Sequence, residues 1–209
     1  MRIYSFYPNS EGALALMTEV AQEYFCKHFI GHRMRQSWKL PTFRILRHSR
    51  PIRDFVGWNL AALTITEKAK AALEPLIGED VEFLPFATIK GKRLYAVNVI
   101  RIIDCLDMKK SNMSFSSDIP GRVIFAMGFM FDPKKVEPCP IFKVPQWRGS
   151  IFVSHDFVEV VVRSKLTGAG FDNPEKILFV KRPWDGTLRG LPAVRDFDQT
   201  PSRTGSRHP

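Results

Sequence analysis

The longest β-like run in the chain is Leu94-Tyr-Ala-Val-Asn-Val-Ile-Arg-Ile-Ile-Asp104, and it constrains the fold more than any other stretch. Branched and aromatic side chains suit a pleated, half-buried surface better than a helix. The run closes on Asp104-Cys-Leu-Asp107-Met-Lys-Lys-Ser111, two carboxylates and a hydroxyl at fixed spacing. We therefore expect a central strand, and its end is the first place to look for chemistry.

Two related segments flank it. One runs Leu63-Thr-Ile-Thr66, a helical stretch, Leu76-Ile-Gly78, then Phe83-Leu-Pro85. The other runs Ile151-Phe-Val-Ser154, a helical stretch, Leu166-Thr-Gly168, then Phe171 and Pro174. Thr66 to Phe83 and Ser154 to Phe171 are both 17 positions. Each reads as a strand, a hydroxyl N-cap that accepts from an orphan N–H of the first turn, a helix and a stop. Valines at 160–162 favour a strand by propensity, but the echo argues for a helix from Asp156 to Leu166. In the first segment Pro75 should end or kink the helix near Leu73, because proline removes a hydrogen bond and crowds the preceding turn.

Shorter elements fill the remainder. Residues 2–7 alternate weakly as a first strand, and Glu11 to Phe29 carries a helical stripe with Gly31 as its stop. Thr42 to Arg47 is a short strand, and Arg53 to Leu60 a short buried turn or helix. Lys90-Gly91-Lys92 is a turn, and Ser114 to Gly121 is turn-rich. Arg122 to Phe131 is a long strand in which Gly128 marks a bulge or a close approach of backbone. Lys176 to Lys181 is a last strand. The expected fold class is α+β, a mainly antiparallel sheet with a few packed helices, containing the two related strand–cap–helix units. Residues 1–182 would form one domain (1–36 a divergent N-terminal strand and helix), followed by a flexible tail at 183–209 rich in Pro, Gly, Ser and Arg.

Composition narrows the function classes. Apolar residues make up 44% of the 209, which supports a globular core. No apolar run approaches the roughly 20 residues that span a bilayer, and the first residues lack a secretory h-region. Cys26, Cys105 and Cys139 are odd in number and widely spaced, as expected of reduced thiols in a cytoplasmic protein. No metal site or cofactor is expected from them. The net charge of +10 is uneven: Lys27, Arg33, Arg35, Lys39, Arg44, Arg47, Arg50 and Arg53 fall in one stretch without a single Asp or Glu. Such a band suits an anionic partner, and it equally suits a solvated loop. Trp38 and Phe43 interleave with the cations, a pattern seen in nucleic-acid binders, but no recognised binding signature accompanies them.

Catalytic constellations are absent: there is no GxSxG, no Gly-rich phosphate loop and no HExxH. Asp104 and Asp107 could bind a cation or share a proton. Asp107 is also placed to cap a helix, and Asp107 with Ser111 to satisfy the N–H groups of a turn, and we favour this structural role. His155, at a helix start, reads as a surface residue.

The pattern of Val97-Asn-Val through Asp104, Asp107 and Ser111, with Phe83-Leu-Pro85 before it and Ile141-Phe, Ser154, Gly168 and Phe171 after it, resembles a family of bacterial immunity proteins. These belong to polymorphic toxin systems, in the eleventh numbered immunity family, first catalogued as a domain of unknown function. The similarity covers roughly residues 37 to 175 and is carried by strands and caps, not by a catalytic motif. The first helix and the basic band look longer than the family pattern. The resemblance implies a cytoplasmic antidote that binds a cognate toxin protein encoded nearby, with no enzyme activity and no catalytic residues. The toxin would meet either an acidic patch at Glu79, Asp80, Glu82, Asp104 and Asp107, or the basic band, with Arg33, Arg35, Lys39, Arg44 and Arg47 as its contacts. A nucleic-acid or anionic-surface binding module is the alternative function.

Overall fold

The computed structural model describes residues 2–9, 14–17, 28–40, 43–46, 49–56, 63–118 and 123–175. The strands are β1 (Ile3–Pro8), β2 (Leu14–Met17), β3 (Phe43–Leu46), β4 (Phe55–Val56), β5 (Leu63–Thr66), β6 (Val81–Ile89), β7 (Lys92–Val99), β8 (Asn112–Phe115), β9 (Val123–Gly128), β10 (Ile141–Val144), β11 (Trp147–Ser154) and β12 (Ala169–Asp172). Among the described residues, the helices α1 (Glu67–Ile77) and α2 (His155–Arg163) lie between β5 and β6 and between β11 and β12. The α+β class holds.

Two four-stranded antiparallel sheets carry the fold, in the orders β4-β5-β7-β6 and β10-β11-β1-β12. Each contains a strand–helix–strand unit whose two strands flank an antiparallel third strand. The echo read from the sequence extends to register. Thr66 faces Leu94 and Leu63 faces Val97; in the other sheet Ser154 faces Ile3 and Ile151 faces Phe6. Phe83 faces Val97, and Phe171 faces Phe6. On the far side Phe55 faces Ile65, and Ile141 faces Val153. Even the entry bonds match: Thr66 N–H donates to the Asp54 carbonyl and Ser154 N–H to the Pro140 carbonyl, both at 3.0 Å. One unit occurs twice, and the middle strand of the second copy is the first strand of the chain.

The caps are as expected. Thr66 and Ser154 have extended backbone, and their hydroxyls accept from Ala69 N–H at 3.3 Å and Phe157 N–H at 3.4 Å. Glu67 and Asp156 sit in the first turns, where a negative charge complements the helix dipole. α1 does not stop at Leu73. It runs through Pro75 to Ile77, because proline falls in the last turn and the Ala71 carbonyl it leaves without a partner is on the exposed side. The β6–β7 turn has positive φ at Lys90 (49°) and Gly91 (74°), the geometry of a two-residue hairpin whose twist matches its strands.

The long run from Leu94 is divided. β7 ends at Val99, opposite Val81, where β6 begins and its partners run out. The backbone then crosses to the second sheet: Ile100 N–H donates to the Asp80 carbonyl, Ile103 N–H to Lys143 and Lys143 N–H to Arg101. The helix expected from Glu11 is corrected at Leu14–Met17, which pairs with Phe43–Leu46 as a two-stranded ladder. Four consecutive apolar residues fit either period, and the ladder to a neighbouring strand decides it. Ser114 and Phe115, expected in a turn-rich stretch, belong to β8, which supplies β9 with the partner its backbone needs. Gly128 is a close approach, since a Cβ there would lie 2.4 Å from the Glu175 carbonyl oxygen. The strand expected at 176–181 and the tail fall outside the described residues.

Packing is in layers. The inner faces of both sheets share one core with the helices: Leu63, Ile65 and Val97 from one sheet, Phe6, Val153 and Phe171 from the other, and Ala69, Leu73, Phe157 and Val161 between. The outer face of the first sheet, Val56, Leu84, Leu94 and Ala96, is covered by Phe29, Met34 and Ile52. That of the second, Ile3, Phe142, Val144 and Phe152, is covered by Ile103, Leu106, Phe129 and Phe131.

Candidate functional site

Among the described residues, the groups singled out for chemistry have structural partners. Asp104 is exposed and accepts from Gln146 Nε2 at 2.6 Å. Asp107 caps an isolated turn and not a helix: its Oδ1 accepts from the N–H groups of Lys109 (3.1 Å) and Lys110 (3.2 Å). The Lys110 side chain, 2.9 Å from Oδ2, is the main reason this carboxyl is held below its ordinary pKa. Ser111 Oγ clasps Met130, donating to its carbonyl and accepting from its N–H. The two aspartates have separate partners and do not converge on a common site. Burial pushes the Cys105 thiol to about 12 and the Cys139 thiol to about 11, so neither is a nucleophile near neutral pH. His155 is bonded to the Tyr4 hydroxyl at 3.0 Å and lies 3.7 Å from Glu159. Among the described residues no three His, Cys, Asp or Glu side chains gather in a way that could hold a metal.

Asp54 is a buried carboxylate with several partners. It accepts from the Thr66 hydroxyl at 2.9 Å, the Thr167 N–H at 2.9 Å and the Thr167 hydroxyl at 3.0 Å. Burial alone would raise its pKa; these bonds and Lys68 overcome that and hold it low. It ties the cap of α1 to the loop after α2. The nearby Gly168 has φ +90°, and a Cβ there would sit 2.5 Å from the Phe55 carbonyl oxygen.

The basic band is different. Residues 31–40 form a loop laid over the first sheet and anchored from below. Asn98 Nδ2 donates to the His32 carbonyl at 2.7 Å. The buried Glu82 carboxylate accepts from Met34 N–H at 2.6 Å, from Arg35 N–H at 3.4 Å and from Asn98 at 3.0 Å. Trp38 Nε1 donates to the Pro85 carbonyl at 2.8 Å, and its ring meets Phe29 edge-on. Lys143 Nζ, itself buried, donates to the Phe29 carbonyl at 2.8 Å. Met34 and Trp38 point inward, while Arg33, Arg35 and Lys39 beside them are exposed. Among the described residues the charged groups of these three have no ion-pair partner.

Of the expected contact residues, the structure therefore brings Arg33, Arg35 and Lys39 together on one fixed loop. Arg44 lies on β3 opposite Leu16, and Arg47 falls outside the described residues. The alternative acidic patch is not assembled: Glu82 is spent beneath the basic loop and Asp107 on its own turn. Sequence reading missed Glu82 and Asn98 as the anchors. Their signal was two polar residues, facing each other, on the strand face that otherwise shows Leu84 and Ala96.

Among the described residues the frame is antiparallel α+β, and its loop at residues 31–40 presents the cations Arg33, Arg35 and Lys39 without ion-pair partners. The model of the Immunity protein family (Imm11) matches residues 15–176, and the chain belongs to that family. The match starts earlier than the resemblance at 37–175 and includes most of the N-terminal region expected to be divergent. No curated protein matches the chain. Among the described residues no helix is long and apolar enough to cross a membrane.

Proposed function

We propose that this protein neutralises a cognate toxin in the cytoplasm by stoichiometric binding, occluding the toxin's working surface with the loop at residues 31–40. The observation that carries the reading is the exposure of Arg33, Arg35 and Lys39, unpaired, on a loop whose backbone is fixed by Glu82, Asn98 and Trp38. A preorganised loop gives up little conformational entropy on docking, so its charges act with full effect. The nucleic-acid alternative is weakened by the position of Trp38, whose indole is committed to Pro85 and Phe29 and is not free to stack on bases.

The test is co-expression with the toxin domain encoded by the adjoining gene. Growth should be restored by this protein, and a 1:1 complex should elute from a sizing column. Growth arrest despite full expression of both proteins would sink the proposal.

A further inference from the structure

Beside the basic loop lies a cleft of about 220 Å³, lined by Arg33, Arg35, Lys70, Glu74, Gly78 and Phe83 among others. Its interior is unusual when set against the duplicated frame. Lys70 lies 5.2 Å above the Phe83 ring and 5.6 Å from the Tyr95 ring, and pairs with Glu74 at 2.6 Å. Register equates Lys70, Glu74, Phe83 and Tyr95 with Val158, Val162, Phe171 and Tyr4 in the second copy. There Val158 is fully buried, Phe171 and Tyr4 are each 3% exposed, and Val162 packs on the core. One copy closes this face with valines; the other keeps it open, charged and floored by aromatic rings.

Resting on the toxin-binding reading, we infer that this cleft seats a carboxylate side chain from an acidic segment of the toxin, held by the guanidiniums of Arg33 and Arg35. Charge complementarity selects the occupant. Two unpaired guanidiniums at the rim offer forked donors that match a carboxylate. Lys70 is the third cation, and Glu74 holds it in place until the incoming carboxylate competes for it. A nucleic-acid strand fits less well, because the few cations of this cleft, interrupted by Glu74, suit a single anionic group and not a continuous row of phosphates.

Titration of the purified toxin domain from the adjoining gene into this protein tests the inference. The double variant Arg33→Glu with Arg35→Glu should raise Kd by about 100-fold. Glu74→Gln, which removes the competitor for Lys70, should lower Kd a few-fold, roughly the effect of one exposed pair. Lys134→Glu with Lys135→Glu, the same charge change on the other cover, should leave Kd within about twofold. Unchanged melting temperatures would show that all variants fold. Wild-type protein that fails to bind overturns the function and the cleft together. Wild-type binding that the Arg33/Arg35 variant retains, or that both double variants lose equally, overturns the cleft alone. A 30-nucleotide single strand or duplex that binds at low salt and is released by the Arg33/Arg35 change would assign the cleft to phosphate and overturn the carboxylate.

Discussion

Set side by side, the two copies of the strand–helix–strand unit agree in backbone and disagree in covering. The first copy presents Val56, Thr64 and Ala96 on its outer face, small residues over which Phe29, Met34 and Trp38 of the loop bring the bulk. At the equivalent places the second copy has Phe142, Phe152 and Ser5, so the bulk is on the sheet itself, packed edge-to-face with Phe129 and Phe131. Cap residues and register are what a frame of this kind must keep. The residues that differ between copies are those free to serve a partner. The loop over the first copy holds three such residues, Arg33, Arg35 and Lys39, without ion-pair partners among the described residues.

The largest expected effect lies at the clasp between the copies. Asp54→Asn would set an amide N–H₂ against donors that now bond a carboxylate, and should cost about 2–3 kcal/mol at neutral pH by urea titration. The sign with pH is fixed by the lowered pKa. Wild-type Asp54 contributes fully above the ordinary aspartate value and loses that contribution as pH falls through the lower folded value. The variant's stability should therefore fall less steeply below about pH 4 than that of the wild type. Asp172 of the second copy runs the other way: burial raises its pKa, so protonation favours the folded form. A wild-type acid profile that Asp54→Asn leaves unaltered would remove the clasp from the account.

The caps give a smaller and more diagnostic contrast. Ser154→Ala removes a single cap bond and should cost about 1 kcal/mol. Thr66→Ala removes the cap and also the hydroxyl donated to Asp54, and should cost about 2 kcal/mol. Equal losses at the two positions would mean that the Asp54 link contributes nothing. Smallest, and opposite in sign, is Thr64→Val. The Thr64 hydroxyl is buried without a hydrogen-bond partner, between Val56 and Ala96. An isosteric methyl should stabilise by about 1 kcal/mol, a rise in melting temperature of roughly 2–4 °C for a chain of this size.

Local chemistry made much of this frame readable in advance. Thr66 and Ser154 could be recognised as caps because a hydroxyl before an apolar stripe satisfies orphan N–H groups wherever it occurs. The equal spacing to Phe83 and Phe171 carried the duplication. What escaped depends on distant partners. Leu14–Met17 is compatible with helix or strand until Phe43–Leu46 supplies a ladder. The break after Val99 follows from where β6 begins, which the sequence of β7 does not contain. Of the candidate site, the cations were visible as a charge run. The Glu82 and Asn98 anchors, and the cleft beside Lys70, exist only once segments 48 to 66 residues apart are brought together.

The place of β1 in the second sheet has a consequence for biosynthesis. Ile3 to Phe6 leave the ribosome well before their neighbours in β11, which lie about 150 residues downstream. At 5–20 residues per second, this apolar strand waits roughly 8–30 s for them. The first copy, by contrast, has all four of its strands between Phe55 and Val99 and can close while the rest is still being made. Ordering is thus vectorial for one half of the molecule and retroactive for the other. A ribosome that stalls before residue 150 releases a chain with its basic loop in hand and β1 unpaired, a nascent product suited to chaperone capture or proteolysis.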